Sequence, residues 1–134
     1  MNVFQRIRFQ KNLVLEDSMN PNILEGDEIL LKKVFFYYSP SRFDIVKVNS
    51  EGQSYIKRII GLPNENLILD GEKIYINNVE LDEKFELIKT KYSTLKISLG
   101  KNEIFLMGDN RVNSVDSRTL GPFNLNDVVG LINN

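Results

Sequence analysis

The chain has 134 residues, 42% of them apolar, and its 17 basic and 18 acidic side chains leave a formal net charge of −1. This composition is enough for one packed domain and too apolar for a disordered chain. The charges form no basic block, so nucleic-acid binding is not favoured. Histidine and cysteine are both absent, which excludes disulfides and thiol nucleophiles and leaves no basis for expecting a metal or another cofactor.

Short apolar runs rich in Ile, Val, Tyr and Phe recur along the chain and are separated by Gly, Pro, Asn and Asp. They favour β-strands, and no window sustains the period of a long helix. Asp70-Gly71 lies between two such runs and indicates a hairpin. We predict an all-β, barrel-like fold with strands at 12–16, 28–34, 43–48, 54–60, 67–69, 73–76, 95–98, 103–107 and 128–132.

Residues 65–102 are more polar and richer in lysine than the sequence around them. We therefore predict a catalytic β domain formed by residues 1–64 and 103–134, with residues 65–102 inserted as a small subdomain or cap. A solvated surface hairpin would have the same composition, so the pattern assigns the insertion no function.

Lys57 and Arg58 occupy consecutive positions in a predicted strand. Alternate residues of a strand share a face, and apolar residues flank both charges, so at least one of them lies in a low dielectric. Arginine stays charged almost anywhere, whereas a desolvated lysine loses its proton readily and can then act as a base. A lysine whose ammonium group reaches solvent is the alternative interpretation of this run.

Ser18 is predicted to lie where the first strand ends in a turn, since Pro21 disfavours helical backbone at the residue before it. Such a position exposes a hydroxyl beside free backbone N–H groups. An ordinary turn serine would look the same. In a chain without histidine, however, a Ser-Lys dyad is the main remaining way to activate a serine nucleophile.

The run from Gly108 to Arg118 interleaves two Asp and two Arg with hydroxyl and amide side chains directly after an apolar strand. These groups suit a fixed network of charge-assisted hydrogen bonds that orients a catalytic amine. A plain solvated loop is an equally consistent interpretation of the composition.

Four runs taken together resemble the sequence boxes of bacterial type I signal peptidases, in the family's order. They are Ser18–Ile23 with Gly26-Asp27, Arg42–Val46, Tyr55–Pro63 and Gly108–Gly121. The short insertion looks more like that of Gram-positive members. The family fold is a β-rich catalytic domain with a smaller inserted β-subdomain, which agrees with the strand pattern.

The resemblance implies roles for individual residues. Ser18 would be the nucleophile and Lys57 the general base. A supporting network, in which Ser114 orients the lysine amine and a salt bridge joins Asp116 to Arg118, would comprise Ser114, Asp109, Arg111, Asp116 and Arg118. Shallow pockets for small substrate side chains would be lined by Val14, Met19, Ile23, Ile29, Tyr55 and Ile56.

The function implied is a Ser-Lys endopeptidase that cleaves signal peptides from secreted preproteins, pilin precursors among the possible substrates, after small residues in an Ala-x-Ala-like pattern. It would act on the extracytoplasmic side of the cell membrane, and we expect that the family's N-terminal membrane anchor is missing from this chain. Two alternatives stay open: a non-catalytic signal-peptidase-like module that aids pilus or secretion assembly, and a LexA-like self-cleaving Ser-Lys domain.

Three residues depart from the family pattern. Asn22 stands where Thr is usual, Phe43 where Gly is usual, and Glu16 where Ser or Gly is common. With Glu16 in place of a small hydroxyl residue, oxyanion stabilisation is expected to depend on backbone N–H groups, mainly that of Ser18.

Overall fold

The computed structural model describes residues 8–132, in which eleven strands form two antiparallel sheets. The all-β prediction is confirmed. A one-turn helix spans Ser117–Leu120 and a 3-10 turn spans Leu125–Asp127. The strands are β1 Phe9–Leu13, β2 Glu28–Lys33, β3 Ile45–Ser50, β4 Gln53–Gly61, β5 Asn66–Gly71, β6 Lys73–Ile76, β7 Val79–Glu80, β8 Tyr92–Ser98, β9 Glu103–Met107, β10 Phe123–Asn124 and β11 Val128–Ile132.

The larger sheet has the strand order β1-β2-β11-β3-β4-β9-β10, and the smaller sheet has the order β7-β6-β5-β8. In the larger sheet β4 pairs with β3 on one side and β9 on the other. Arg58 of β4 lies opposite Met107 of β9. Because Met107 ends β9, the polar run that follows it begins beside the Lys57–Arg58 pair.

Strands β6, β9 and β11 begin and end at the predicted residues, whereas β1 does not. The predicted strand 12–16 is wrong beyond Leu13, because the backbone there bonds to a turn instead of continuing along β2. The Val14 N–H donates to the Asp27 carbonyl at 2.8 Å, and the Val14 carbonyl accepts from the Gly26 N–H at 2.7 Å. Residues 14–17 therefore leave the sheet and connect β1 to the turn that contains Ser18.

Two short strands, β7 and β10, were not predicted. The turn before β7 has a left-handed backbone at Asn77 and Asn78, with φ of 48° and 66°. Asparagine tolerates this conformation better than most residues, so Asn-Asn was the available signal for this hairpin. The predicted Asp70-Gly71 hairpin joins β5 to β6, with φ of 60° at Gly71.

One hydrophobic cluster is shared by the two sheets. It combines Phe105 and Met107 of β9 with Leu67 and Leu69 of β5, and all four are buried. The smaller sheet thus packs onto the larger one through a common core. The division into a catalytic domain and an inserted subdomain of residues 65–102 stays a prediction.

Replacing Phe105 with alanine is expected to weaken both sheets together. The change removes a fully buried ring from the shared cluster, which costs about 3–5 kcal/mol of unfolding free energy in protein cores. Chemical denaturation measures the loss, and native-state hydrogen exchange locates it. Loss of amide protection in only one sheet would show that the two sheets fold independently.

Candidate active site

Ser18 lies in the loop between β1 and β2 and borders a cavity of about 250 Å³. The side chain is buried, with 7% of its surface exposed. Of the six predicted pocket residues, the structure brings four to the cavity: Val14, Met19, Ile23 and Ile56. The complete lining is Asn12, Leu13, Val14, Leu15, Glu16, Ser18, Met19, Ile23, Lys47, Ser54 and Ile56.

The other two predicted pocket residues do not line the cavity. Tyr55 precedes Ile56 in β4 and therefore points to the opposite face of the sheet. There its ring packs edge-on against Phe123, with 5.2 Å between ring centroids. Ile29 is buried in the cluster that contains Val14, behind the cavity wall. The roles of Tyr55 and Ile29 in substrate binding stay predictions, and neither residue lines this cavity.

Lys57 is among the largest fully buried side chains, with 1% of its surface exposed. Burial lowers its pKa from the ordinary lysine value, because the charged ammonium loses its hydration. The carboxylates of Glu16 and Asp116 oppose this shift, and the Arg118 guanidinium adds to it. Within residues 8–132, no direct hydrogen bond joins Ser18 Oγ to Lys57 Nζ.

Arg58 lies on the other face of β4 and has a dedicated partner. Its Nε and Nη2 donate to the two carboxylate oxygens of Asp109 at 2.9 and 2.7 Å. The guanidinium also stacks on the Phe85 ring, 3.9 Å from its centroid. Asp109 is fully buried and accepts a further bond, of 2.8 Å, from Asn22 Nδ2. Asn22, noted above as a departure from the family pattern, thus ties the Ser18 loop to this ion pair.

Asp116 joins several parts of the Gly108–Arg118 run. One carboxylate oxygen accepts from the Gly108 N–H at 2.9 Å and from the Ser114 hydroxyl at 2.8 Å. Arg118 donates to both oxygens, each at 2.9 Å, so the expected Asp116–Arg118 salt bridge is present in the structure. Burial alone would raise the pKa of Asp116, but Arg118 and the other donors hold it below its usual range.

Ser114 and Arg111 have contacts that the sequence did not predict. The hydrogen bond that the Ser114 hydroxyl donates goes to Asp116 and not to the lysine. Arg111 donates to the Gly108 carbonyl at 2.7 Å and forms an ion pair with Glu83, which follows the smaller sheet's β7. The Tyr92 hydroxyl accepts from the same guanidinium at 2.7 Å. Arg111 therefore links the polar run to the insertion.

Sequence reasoning missed Asn110. Its N–H donates to the Ser18 carbonyl at 2.9 Å, and its Nδ2 donates to the Asp17 carboxylate at 3.0 Å. The only signal was its place in the polar run, since the contact joins residues more than ninety positions apart. Gly108 allows the approach, because a Cβ there would lie 2.5 Å from the Ser18 carbonyl oxygen. The run thus fixes the backbone of the Ser18 turn directly.

A buried serine that borders a cavity, a buried lysine with a lowered pKa and a network of buried ion pairs are compatible with a serine hydrolase of β fold, although Lys57 does not line the cavity. The sequence profile of the family described as "Signal peptidase, peptidase S26" matches residues 2–133. The chain belongs to this family and is a type I signal peptidase of Gram-positive character. Its members are membrane-associated serine peptidases that act on signal peptides.

Individual relatives agree with the family assignment. Signal peptidase I P of Bacillus subtilis subsp. natto is 31% identical over 92% of this chain and 74% of its own length. Signal peptidase I V of Bacillus subtilis is 34% identical over 86% of this chain and 78% of its own. The crystal structure of a signal peptidase I from Enterococcus faecalis superposes with a TM-score of 0.62 at 29% identity. That match covers 72% of this chain and 98% of the other.

Among the helices that the structure describes, none has the length and apolar composition to cross a membrane.

Replacing Gly108 with alanine is expected to lower peptidase activity by more than about tenfold. The new methyl group would press on the Ser18 carbonyl and the Ser114 hydroxyl, which displaces the proposed nucleophile, and displacements of about 1 Å cost up to about 10²-fold in rate. Gly61→Ala is the control for crowding alone, because the atoms nearest its methyl are side-chain carbons of the buried Leu67 and Leu99 and do not belong to the Ser18 turn. Equal activity in the two variants would contradict this role for Gly108.

Proposed function

We propose that Ser18 and Lys57 form the catalytic dyad of this signal peptidase. One observation carries the proposal: Lys57 is buried, with a lowered pKa, in a chain that contains no histidine. Arginine cannot lose its proton in a protein, and Asp109 and Asp116 are held in ion pairs. We therefore assign Lys57 as the group that accepts the Ser18 proton at moderately alkaline pH.

The chemistry follows from these two residues. Neutral Lys57 Nζ takes the proton from Ser18 Oγ as the oxygen attacks the carbonyl carbon of the scissile bond. The tetrahedral oxyanion collapses, the C–N bond breaks, and the Lys57 ammonium returns its proton to the leaving amine. Water then attacks the acyl-enzyme by the same route, with Lys57 as base, and releases Ser18.

The backbone N–H of Ser18 is the proposed oxyanion donor. Within residues 8–132 this N–H donates to no backbone acceptor, so it is available to a developing negative charge. The bond from Asn110 to the Ser18 carbonyl fixes the orientation of the turn that carries it. Such preorganisation matters because the donor need not rearrange during the reaction.

Ser114 and Asp116 are proposed to position the lysine amine. The Ser114 hydroxyl donates its hydrogen to Asp116, which leaves its oxygen lone pairs to accept an N–H from Lys57. Arg118 fixes Asp116 in turn. In this arrangement the amine donates to Ser114 and keeps its own lone pair for Ser18. Asp109 and Arg111 then act at a distance, through the loop that they anchor.

The substrate is proposed to bind as an extended strand between residues 12–17 and 54–57, with small side chains one and three positions before the cut. Alternate residues of an extended peptide face the same way, so both would enter the cavity beside Ser18. The apolar walls formed by Val14, Ile23 and Ile56 suit alanine-sized groups. Preproteins meet such an enzyme on the extracytoplasmic side of the membrane, which we propose as its place of action.

Ser18→Ala and Lys57→Ala are each expected to abolish cleavage of a preprotein peptide that has Ala one and three residues before the cut. Lys57→Arg should be equally inactive, because guanidinium does not deprotonate. Lys96→Ala, an exposed lysine on β8, serves as the matched control. Turnover is measured in detergent or lipid, with circular dichroism to verify folding. Appreciable activity in Lys57→Arg would rule out the dyad and favour a different catalytic base.

Activity is expected to rise with pH and to reach a plateau below the ordinary lysine pKa of 10.5. The base must be neutral, and burial lowers its pKa. The unfolded chain binds a proton that folded Lys57 has already lost in that window, so stability also rises with pH there. Initial rates across pH, with melting temperatures of the wild type and Lys57→Met, test both effects. A flat kcat/KM from mildly acidic to alkaline pH would contradict a lysine base.

A further inference from the structure

The cavity beside Ser18 is lined by both apolar and polar side chains. Its lining includes apolar side chains, Val14 from the β1 side and Ile56 from β4, together with the Glu16 carboxylate two residues before Ser18. Asn12 and Ser54, two residues before Val14 and Ile56 respectively, also line the cavity. Both strands run towards the proposed catalytic residues, so the two polar residues mark the end of the cavity farther from the cut.

Lys47 places a positive charge at this polar end. It lies opposite Ile56 in the β3–β4 pairing, and its Nζ donates to Asn12 Oδ1 at 3.2 Å. An ammonium group has three donors, and this bond uses one of them. A cation lining the cavity of an enzyme that selects small apolar side chains is not explained by the reaction proposed above.

Asn12 carries a second unused donor. Lysine can only donate, so the amide oxygen must face Lys47 and the amide nitrogen must point away. Among the described residues Asn12 Nδ2 is buried without a hydrogen-bond partner, which is rare for a buried polar atom. Rotation about the broad terminal torsion of the amide can turn this group towards a ligand.

We propose that Asn12 and Lys47 form a subsite that selects a short side chain with a hydrogen-bond-accepting hydroxyl, serine or threonine, three residues before the cut. This inference rests on the proposed function. The side chain next to the cut lies by Ser18, and the next one facing the same way lies about 7 Å further along the peptide, towards Asn12. Glu16 and Lys47 give the cavity lining one charge of each sign, so the occupant we propose is neutral.

The preference follows from the unused donors. A hydroxyl oxygen accepts from Lys47 or from the rotated Asn12 amide, whereas a methyl group of the same size leaves both donors unpaired. One net hydrogen bond of this kind changes a specificity constant by about 3- to 10-fold. The effect therefore modulates the preference for small residues and does not replace it.

The test compares peptides that differ only at the third residue before the cut, in the isosteric pair Thr and Val and the near-isosteric pair Ser and Ala. For the wild type, we expect kcat/KM to be about 3- to 10-fold higher for the hydroxyl member of each pair. Lys47→Met keeps the aliphatic stem without the donors, and Asn12→Leu removes the amide. Both variants should lose the preference, with their melting temperatures recorded alongside.

Gln10→Leu is the matched control, because Gln10 carries an amide on β1 but does not line the cavity. It should keep the wild-type preference. Equal kcat/KM for the two members of each pair in the wild type would overturn the subsite, as would a preference that survives in both variants. The same assay tests the proposed function separately. If that function is correct, the wild type cleaves the Ala peptide and Ser18→Ala does not.

Discussion

The ion pair between Arg58 and Asp109 is the interaction on which the rest of the site depends. Both side chains are buried, and removing one partner from such a pair leaves an uncompensated charge, at a cost of about 3–5 kcal/mol. The pair joins β4 to the run after β9, and Asn22 adds the loop that carries Ser18. Asn110, the residue after Asp109, binds the Ser18 carbonyl. One buried pair thus aligns three segments that are distant in sequence.

Lys57, the residue before Arg58 on β4, has a different environment. Arg58 has a bidentate carboxylate partner, whereas Lys57 is buried on the other face with no such partner among residues 8–132, and burial lowers its pKa. The assignment suits the chemistry of each group, since a guanidinium fork fits a carboxylate and an amine loses its proton readily. Exchanging the two residues would bury a guanidinium at position 57 and leave a weaker anchor beside Asp109. Consecutive strand positions thereby separate an ion-paired guanidinium from the amine that we propose as the base.

The sequence was sufficient for the all-β fold, for three strands at their observed bounds and for the polar run that meets the Ser18 loop. Those features depend on local alternation and on motif order. The contact between Asn110 and Ser18 could not be predicted, because it depends on strand order and on the missing side chain at Gly108. Tyr55 is a different case: alternation within β4 separates it from the cavity residue Ile56 and places it on the same face as Lys57, where its ring packs against Phe123.

The loop between β7 and β8 of the smaller sheet contacts the ion pairs and the polar run of the larger one. Phe85 stacks on Arg58, and Glu83 pairs with Arg111. The backbone of Ile88 bonds on both sides to the polar run, donating to the Asp109 carbonyl at 3.1 Å and accepting from the Arg111 N–H at 2.8 Å. The polar run that bonds to the Ser18 turn is therefore itself bonded to residues of the predicted insertion. The predicted insertion also shares a hydrophobic core with β9. The positions of the proposed catalytic residues therefore depend on how the two sheets pack together.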